Sequence, residues 1–272
     1  MKNPIKAVIL AAGVGRRLKP YTAEVPKCMV TVAGVPLIAH QIRVLESFGI
    51  KDITIVTGYK ADTVEPLGHK TIYNADYENT NMVASFMRAE KLLDGKADIL
   101  TVYGDIIFEE KVIKKLLACR ASICTTVDES WLNLWKIRSD NPLNDAETLK
   151  IDAFKNITEL GKKTAVLEEI QGQYMGLIKI RAEFAPSLVG IYKDMDRKAI
   201  FDGKNFSNMF MTSFLQYLID SEQELRAVMV SGGWLEVDTA GDLELYNRMY
   251  AEGTLSGYCR ILEKQDRVRG ER

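Results

Sequence analysis

Residues 7–28 read AVILAAGVGRRLKPYTAEVPKC. The run from Ala7 to Ala12 is apolar throughout, the pattern of a strand buried on both faces as in a parallel sheet. It stops at Gly13 and Gly15, turns into Arg16 and Arg17, and is followed by Pro26-Lys27. A glycine-rich turn at the end of a buried strand commonly lets backbone N–H groups cradle phosphates. Spacing excludes two familiar versions. The dinucleotide fingerprint needs a third glycine where Leu18 stands, and the mononucleotide P-loop needs a Gly-Lys-Ser/Thr that is absent. Residues 1–27 carry six basic side chains against one acidic, Glu24, in a chain of net charge −1. That local excess surrounds the loop.

Outward from this stretch, strands and helices alternate. Pro36 is placed to open a helix as its first residue, with Ile38, Ile42 and Leu45 on one face and Gly49 as its stop. DITIVTG (52–58) reads as a second buried strand. Met82, Phe86, Ala89 and Leu93 form the stripe of a second helix, capped by Asn79 or Thr80 and ended before Gly95. ADILTVYGD (97–105) is a third strand, and Val112, Ile113 and Leu116 mark the helix after it. The alternation predicts an α/β fold with a single doubly wound, mostly parallel, Rossmann-like sheet, whose ligands sit at the carboxyl ends of the strands. The glycine loop and Asp105 both fall at such ends.

After residue 120 the connections lengthen and become more polar. ASICTTVDE (121–129), TLKIDAF (148–154) and YMGLIKI (174–180) read as strands of a mixed extension of the same sheet. FMTSFLQYLID (210–220) is a helix with Met211, Phe214, Leu215 and Leu218 inward. AVMVSGG (227–233) and WLEVDT (234–239) are short strands, and GDLELYNRMY (241–250) is a helix carrying Leu243, Tyr246 and Tyr250. No low-complexity linker or internal repeat interrupts the chain. The expectation is one domain over 1–272, with a nucleotide-binding half at 1–120, an acceptor-binding half at 121–254, and a tail at 255–272 that is a partly exposed helix or a frayed end.

Hydrophobic residues make up 47% and charged residues 27%, an ordinary globular balance. The near-zero net charge gives no global field toward nucleic acid or a membrane surface, so neither is an expected partner. Cys28, Cys119, Cys124 and Cys259 show no Cys-x-x-Cys pair and read as reduced, buried thiols. The N-terminal apolar run is too short for a signal segment and no stretch reaches membrane-spanning length. A cytoplasmic protein is expected. His40 and His69 have no partner visible by spacing and receive no catalytic role.

The segment Leu10-Ala11-Ala12-Gly13-x-Gly15-x-Arg17-Leu18-x-Pro20, with Pro26-Lys27 after it, resembles the opening of the nucleoside triphosphate transferases. These enzymes join a nucleoside monophosphate to a sugar 1-phosphate or a phospho-alcohol and release pyrophosphate. The resemblance implies a GT-A-like sheet, a loop of Leu10, Ala11, Ala12, Gly13 and Gly15 that binds nucleotide, and a homodimer. The residue types suit the chemistry. Glycines let the backbone approach the phosphates without a Cβ in the way. Arg17 can hold the β- and γ-phosphates through paired hydrogen bonds. Lys27, a compact point charge, suits the α-phosphate, where charge builds in the transition state.

YGD (103–105) and WLEVDT each end a strand in a carboxylate. Strand alternation puts Trp234, Glu236 and Asp238 on one face. Two carboxylates from separate strands beside a polyphosphate make a Mg²⁺ site, and Asp105 and Asp238 also align by resemblance with the family's metal pair. Asp238 has a second reading as the N-cap of the following helix. Glu236 stands equally as a ligand or as a solvated strand residue.

NADYENTNMVASFMRA (74–89) resembles the segment of phosphocholine and aminoethylphosphonate cytidylyltransferases in which an Asn and a Ser sit by the base; Asn81 and Ser85 match them. Residues 128–150 look like the same subgroup. There Trp131 and Trp135, interleaved with Arg138, offer a face for a cationic amine with the carboxylates of Asp145 and Glu147 nearby, or else the tryptophans belong to the core and the charges to the surface. EEIQGQYMGLIKI (168–180) supplies Glu169, Gln173, Tyr174 and Gly176 as acceptor contacts, the glycine allowing close backbone approach, with a plain bulged strand as the alternative. The expected activity is Mg²⁺-dependent transfer of CMP from CTP to a phosphorylated amino-alcohol or a phosphonate. The alternative is a sugar-1-phosphate nucleotidylyltransferase using UTP, dTTP or GTP.

Overall fold

The opening apolar run forms β1 (Ile5–Ala11), fully buried from Ala7 onward. In the computed structural model, which describes residues 3–261, β1 pairs in parallel with β2 (Asp52–Thr57), and β2 pairs in parallel with β3 (Lys70–Tyr73). On its other side β1 pairs in parallel with β4 (Asp98–Tyr103). A short strand, β5 (Ile106–Phe108), leaves the sheet just beyond β4. Of the three later segments expected to extend the sheet, 121–129 and 174–180 do so, whereas 148–154 leaves it for a separate hairpin. β6 (Ile123–Asp128) is followed by a separate hairpin, β7 (Glu147–Ile151) and β8 (Ile157–Lys163), then by β9 (Gln173–Ile180), β10 (Leu225–Val230) and β11 (Trp234–Glu236). The seven-stranded order is β10-β6-β9-β4-β1-β2-β3, and β9 alone runs antiparallel to its neighbours.

Alternation along β1 divides the core in two. Ala7, Ile9 and Ala11 face one layer; Val8 and Leu10 face the other. The first layer is built by α1 (Leu37–Ser47), with α2 (Met82–Met87) on the opposite face, α3 (Glu110–Ala118) and α4 (Trp131–Arg138) back on the first. Then α5 (Ala185–Asp194) and α6 (Met211–Asp220) join α2, and α7 (Ala240–Ala251) joins α1. Helices thus cover both faces, as a sheet buried on both sides requires.

Several boundaries move for identifiable reasons. Pro36 pairs in a two-residue strand and becomes the N-cap of α1, not its first residue. The cap of α2 is Asn81, whose Oδ1 accepts from the Met82 amide at 2.8 Å, in place of Asn79 or Thr80. That helix ends at Met87, and Leu93 is buried beyond it through a 3-10 turn. In α7, Leu243 and Tyr246 are buried but Tyr250 is 41% exposed, because the last turn of the helix passes the edge of the layer. Helices α4 and α5 and strands β3, β5 and β8 have no counterpart in the sequence expectation. The four cysteines form no disulfide; Cys119 is half-buried where burial was expected. Leu255–Gly257 forms a single turn, and the remainder of the expected tail, 262–272, lies outside the described residues. Among the described residues no helix is long and apolar enough to cross a membrane.

Candidate active site

The loop after β1 turns at Gly15, whose φ of +67° lies in the left-handed region and whose absent Cβ would stand 3.0 Å from Lys27 Cβ. Thr22 Oγ1 donates to the Gly15 carbonyl at 2.9 Å and pins the turn. Fully buried Leu18 anchors the short 3-10 turn that carries Arg16 and Arg17. A second 3-10 turn, Lys27–Met29, starts immediately after Pro26 and sends Lys27 back toward the strand ends.

Two carboxylates meet there because two short strands pair. β11 runs antiparallel to β5 with Glu236 opposite Ile106, and the Val237 amide donates to the Asp105 carbonyl at 3.0 Å. Residues 105 and 238, distant in sequence, therefore emerge side by side. From α1, Gln41 Nε2 donates to the carbonyls of Tyr103 (2.8 Å) and Ile106 (2.7 Å), gripping the turn on both sides of Asp105. Gly104 sits in that turn against β1, where a Cβ would approach the Leu10 carbonyl oxygen to 2.6 Å.

Lys27 Nζ joins the pair, donating to Asp105 Oδ2 at 2.7 Å and to Asp238 Oδ1 at 2.5 Å. Burial works to lower the ammonium pKa, but the two carboxylates outweigh it and the net shift is upward. Burial works to raise Asp238; Lys27 and Arg17 reverse that and hold it below the ordinary carboxylate value. Arg17 Nη2 lies 3.2 Å from Asp238 Oδ1 and is otherwise largely exposed. Asp105 Oδ1 is buried and has no hydrogen-bond partner among the described residues. Asp238 does not cap α7. That role falls to Thr239, in a capping box with Asp242.

Beneath Asp238 lies a buried cation to which the sequence assigns no role of its own. Arg138, 6% exposed, donates from Nη1 to Glu236 (2.9 Å) and from Nε to Asp242 (3.0 Å), with Nη2 3.8 Å from Asp238. The other Asp242 oxygen accepts from the amides of Asp238 (3.0 Å) and Thr239 (2.9 Å), so the chain carrying Asp238 is fixed from below. Burial and the Asp238 charge push Glu236 above the ordinary carboxylate range. Asp145, Glu236 and Asp238 each bring one oxygen within 4.8 Å of the others.

Two clefts meet at this centre. The first, ≈ 280 Å³, is bounded by the glycine loop from Leu10 to Gly15, by Lys27, and by Asn81 and Ser85 of α2. The second, ≈ 260 Å³, is bounded by Trp135, Asp145, Glu147, Lys163, Gln173 and Tyr174, among others. Arg17, Asp105 and Asp238 belong to both. The expected nucleotide-loop and acceptor residues thus gather on opposite sides of one charged wall, with two exceptions. Trp131 packs edge-on against Trp135 (5.7 Å between centroids) inside the core and lines neither cleft. Glu169 accepts from Lys150 and Thr164 beside the β7–β8 hairpin, again outside both. The Trp135 ring already carries a cation: Arg138 lies 4.8 Å from its centroid. Asn81 is committed to its cap and to the Asn208 carbonyl (3.3 Å), whereas Ser85 Oγ accepts from Asn74 (3.1 Å) and keeps its proton to donate.

Residues 7–188 match the MobA-like NTP transferase domain. The chain belongs to that family. A CTP:phosphoglutamine cytidylyltransferase of Campylobacter jejuni is 40% identical over 250 residues, covering 89% of this chain and 98% of that one. Among solved structures, the CTP:phosphocholine cytidylyltransferase of Streptococcus pneumoniae superposes with a TM-score of 0.69 at 21% identity over 91% of this chain and 99% of the other. The inositol-1-phosphate CTP transferase of T. maritima gives 0.70 at 17% identity over 96% and 100%. Likeness at that level of identity is likeness of fold. As a MobA-like NTP transferase the chain is a nucleotidyltransferase with a Rossmann-like sheet, and the site at its strand ends is where that fold class binds ligands.

Proposed function

We propose that this nucleotidyltransferase moves CMP from CTP to a small phosphorylated acceptor and releases pyrophosphate. The observation that carries the reading is the shared wall: two clefts, one behind the glycine loop and one beside β7–β9, open onto the same Arg17, Asp105 and Asp238. A relative named for CTP and phosphoglutamine, matched over nearly its whole length, supports cytidine as the base and a phosphorylated small molecule as the acceptor.

CTP occupies the first cleft, with its phosphates along the Gly13–Gly15 loop and its base toward Ser85. Arg17 holds the β- and γ-phosphates, and Lys27 lies beside the α-phosphate. An oxygen of the acceptor's phosphate enters from the second cleft and attacks the α-phosphorus in line. The new bond is acceptor oxygen to α-phosphorus; the bond that breaks joins α-phosphorus to the bridging oxygen of pyrophosphate. No general base is required, since the attacking phosphate is already ionised. Lys27 counters the charge that builds on the α-phosphoryl oxygens, an interaction stronger in the transition state than in the ground state.

The residues suit a divalent cation. The donor set is all oxygen, Asp105 Oδ1 is buried without a partner among the described residues, and Asp238 is held ionised. Asp105 and Asp238 would hold Mg²⁺, which would neutralise phosphate charge during transfer.

A pyrophosphate-release screen pairing CTP, UTP, dTTP and GTP with phosphorylated acceptors tests the reading. The expected result is turnover with CTP at least tenfold above the other nucleotides. Turnover confined to UTP, dTTP or GTP with sugar 1-phosphates would overturn it.

A further inference from the structure

Of the second cleft's charged residues, Asp145, Glu147, Lys163 and Glu236 do not belong to the shared wall, and Glu147 and Lys163 face each other. They are cross-strand partners in the β7–β8 hairpin. Directly opposed residues of an antiparallel pair hold their Cβ atoms about 5 Å apart, and opposite charges there normally close into an ion pair. Here they do not. The half-buried Glu147 carboxylate has no hydrogen bond or salt bridge among the described residues, although Lys163 acts on it electrostatically. Exposed Lys163 donates from Nζ to the backbone carbonyl of Asp145 at 3.3 Å, which leaves further protons to give. A carboxylate that is partly desolvated and unpaired carries an unfavourable cost unless a cation arrives. A second sign of a missing ligand lies in the same lining. Trp135, 4% exposed, buries its Nε1–H without an acceptor among the described residues.

We infer that the acceptor is read as a zwitterion, Glu147 taking its ammonium and Lys163 its carboxylate, so that the substrate class is a phosphorylated α-amino acid. This rests on the second cleft being the acceptor site. An α-amino acid carries both charges on one carbon, the spacing a cross-strand pair presents. A phosphorylated amino-alcohol offers a cation alone and leaves Lys163 as an unanswered like charge, so the same lysine selects against it. Asp145, whose carboxylate stands two residues before Glu147 and is exposed, adds negative potential on the ammonium side.

The test is equilibrium binding by calorimetry, which needs no turnover. The probes are phosphoglutamine, its analogue without the α-carboxylate, and its analogue without the α-amine. Phosphoglutamine is expected to bind at least tenfold more tightly than either analogue. Lys163→Met should weaken phosphoglutamine about tenfold and the decarboxylated analogue by less than twofold. Glu147→Gln should do the converse with the deaminated analogue, both variants unfolding in a single cooperative transition. Equal affinity for all three probes, no binding of any, or variants that weaken all three alike would overturn the inference. Should the binding pattern appear while the nucleotide screen favours another triphosphate, the cytidine reading fails and the zwitterion reading stands.

Discussion

Lys27 Nζ lies 2.5 Å from a carboxylate oxygen of Asp238, a residue 211 positions later in the chain, and 2.7 Å from Asp105. One lysine therefore holds two acidic strand ends together. Lys27→Ala is expected to lower kcat by a hundredfold or more, on the scale of losing one transition-state donor, roughly 3 kcal/mol. It also leaves two carboxylates facing each other in a half-buried site, and breaking such a pair costs about 3 kcal/mol of stability. The chain should still fold. Adding Mg²⁺ should raise the unfolding temperature of the variant more than that of the parent, since the cation replaces the lost charge. Pyrophosphate release and thermal unfolding with and without Mg²⁺ check both parts; near-normal turnover in the variant would sink the assigned role.

Arg138 is a positioning residue for Asp238, acting through Asp242 and Glu236. Arg138→Met keeps much of the volume over the Trp135 ring but removes the hydrogen-bond donor shared by Glu236 and the buried Asp242. The expected loss is about 3–5 kcal/mol, read as a drop in the urea midpoint. Variants that remain folded at low temperature should show a larger fall in kcat than rise in KM, because the loss is in the geometry of Asp238 and not in ligand contacts. A variant as stable as the parent would show that this arginine does not hold Glu236 and Asp242 in place.

Gly104 is required by close approach. A Cβ there would stand 2.6 Å from the Leu10 carbonyl oxygen and 3.3 Å from Ala11 Cα, both backbone atoms that cannot rotate away. Gly104→Ala should push the Asp105 turn off β1 and break the two bonds from Gln41. We expect a loss of more than about 2 kcal/mol, larger than the ordinary effect of a surface substitution. Activity should fall in the folded fraction as well. Denaturant unfolding combined with turnover per folded molecule decides the matter.

The parallel half of the fold was legible because its strands are continuous apolar runs ended by glycine or a carboxylate; β1, β2 and β4 sit where AVILAA, DITIVTG and ADILTVYGD place them. Arg17, Lys27, Asp105 and Asp238 were legible because charge has little packing reason to collect at strand ends and because residues 10–27 resemble the opening of the nucleoside triphosphate transferases. Arg138 was not. Its pattern WLNLWKIR mixes large apolar and basic residues without a clean helical stripe, since the helix buries a cation on its inner side. Nor was the Glu147–Lys163 pair. ITELGKK has only a weak period of two, and nothing local says that β8 folds back on β7, so their opposition exists only in the tertiary register. The mismatch at Asn81 has the same origin: three polar candidates precede α2, and contact with the Asn208 carbonyl chooses among them.

Glu147 gives the enzyme a pH signature. Burial pushes its pKa from 4.5 up to about 7, with Lys163 opposing the rise and Asp145 and Asp202 adding to it. A carboxyl whose folded value is raised holds its proton more tightly in the folded state. Its contribution to stability is therefore complete below pH 4.5 and is lost as pH climbs through about 7. Glu147→Gln mimics the protonated form at every pH. The difference in unfolding free energy, variant minus parent, should be near zero below pH 4.5 and grow toward pH 7.5. Partial solvent access limits the change to about 1–2 kcal/mol. Denaturant titrations of both proteins between pH 4 and 8 measure it, and subtracting one from the other removes the titrations they share. A flat difference across that range would mean that the Glu147 carboxylate is solvated or paired in the folded enzyme, and its availability for an incoming ammonium would go with it.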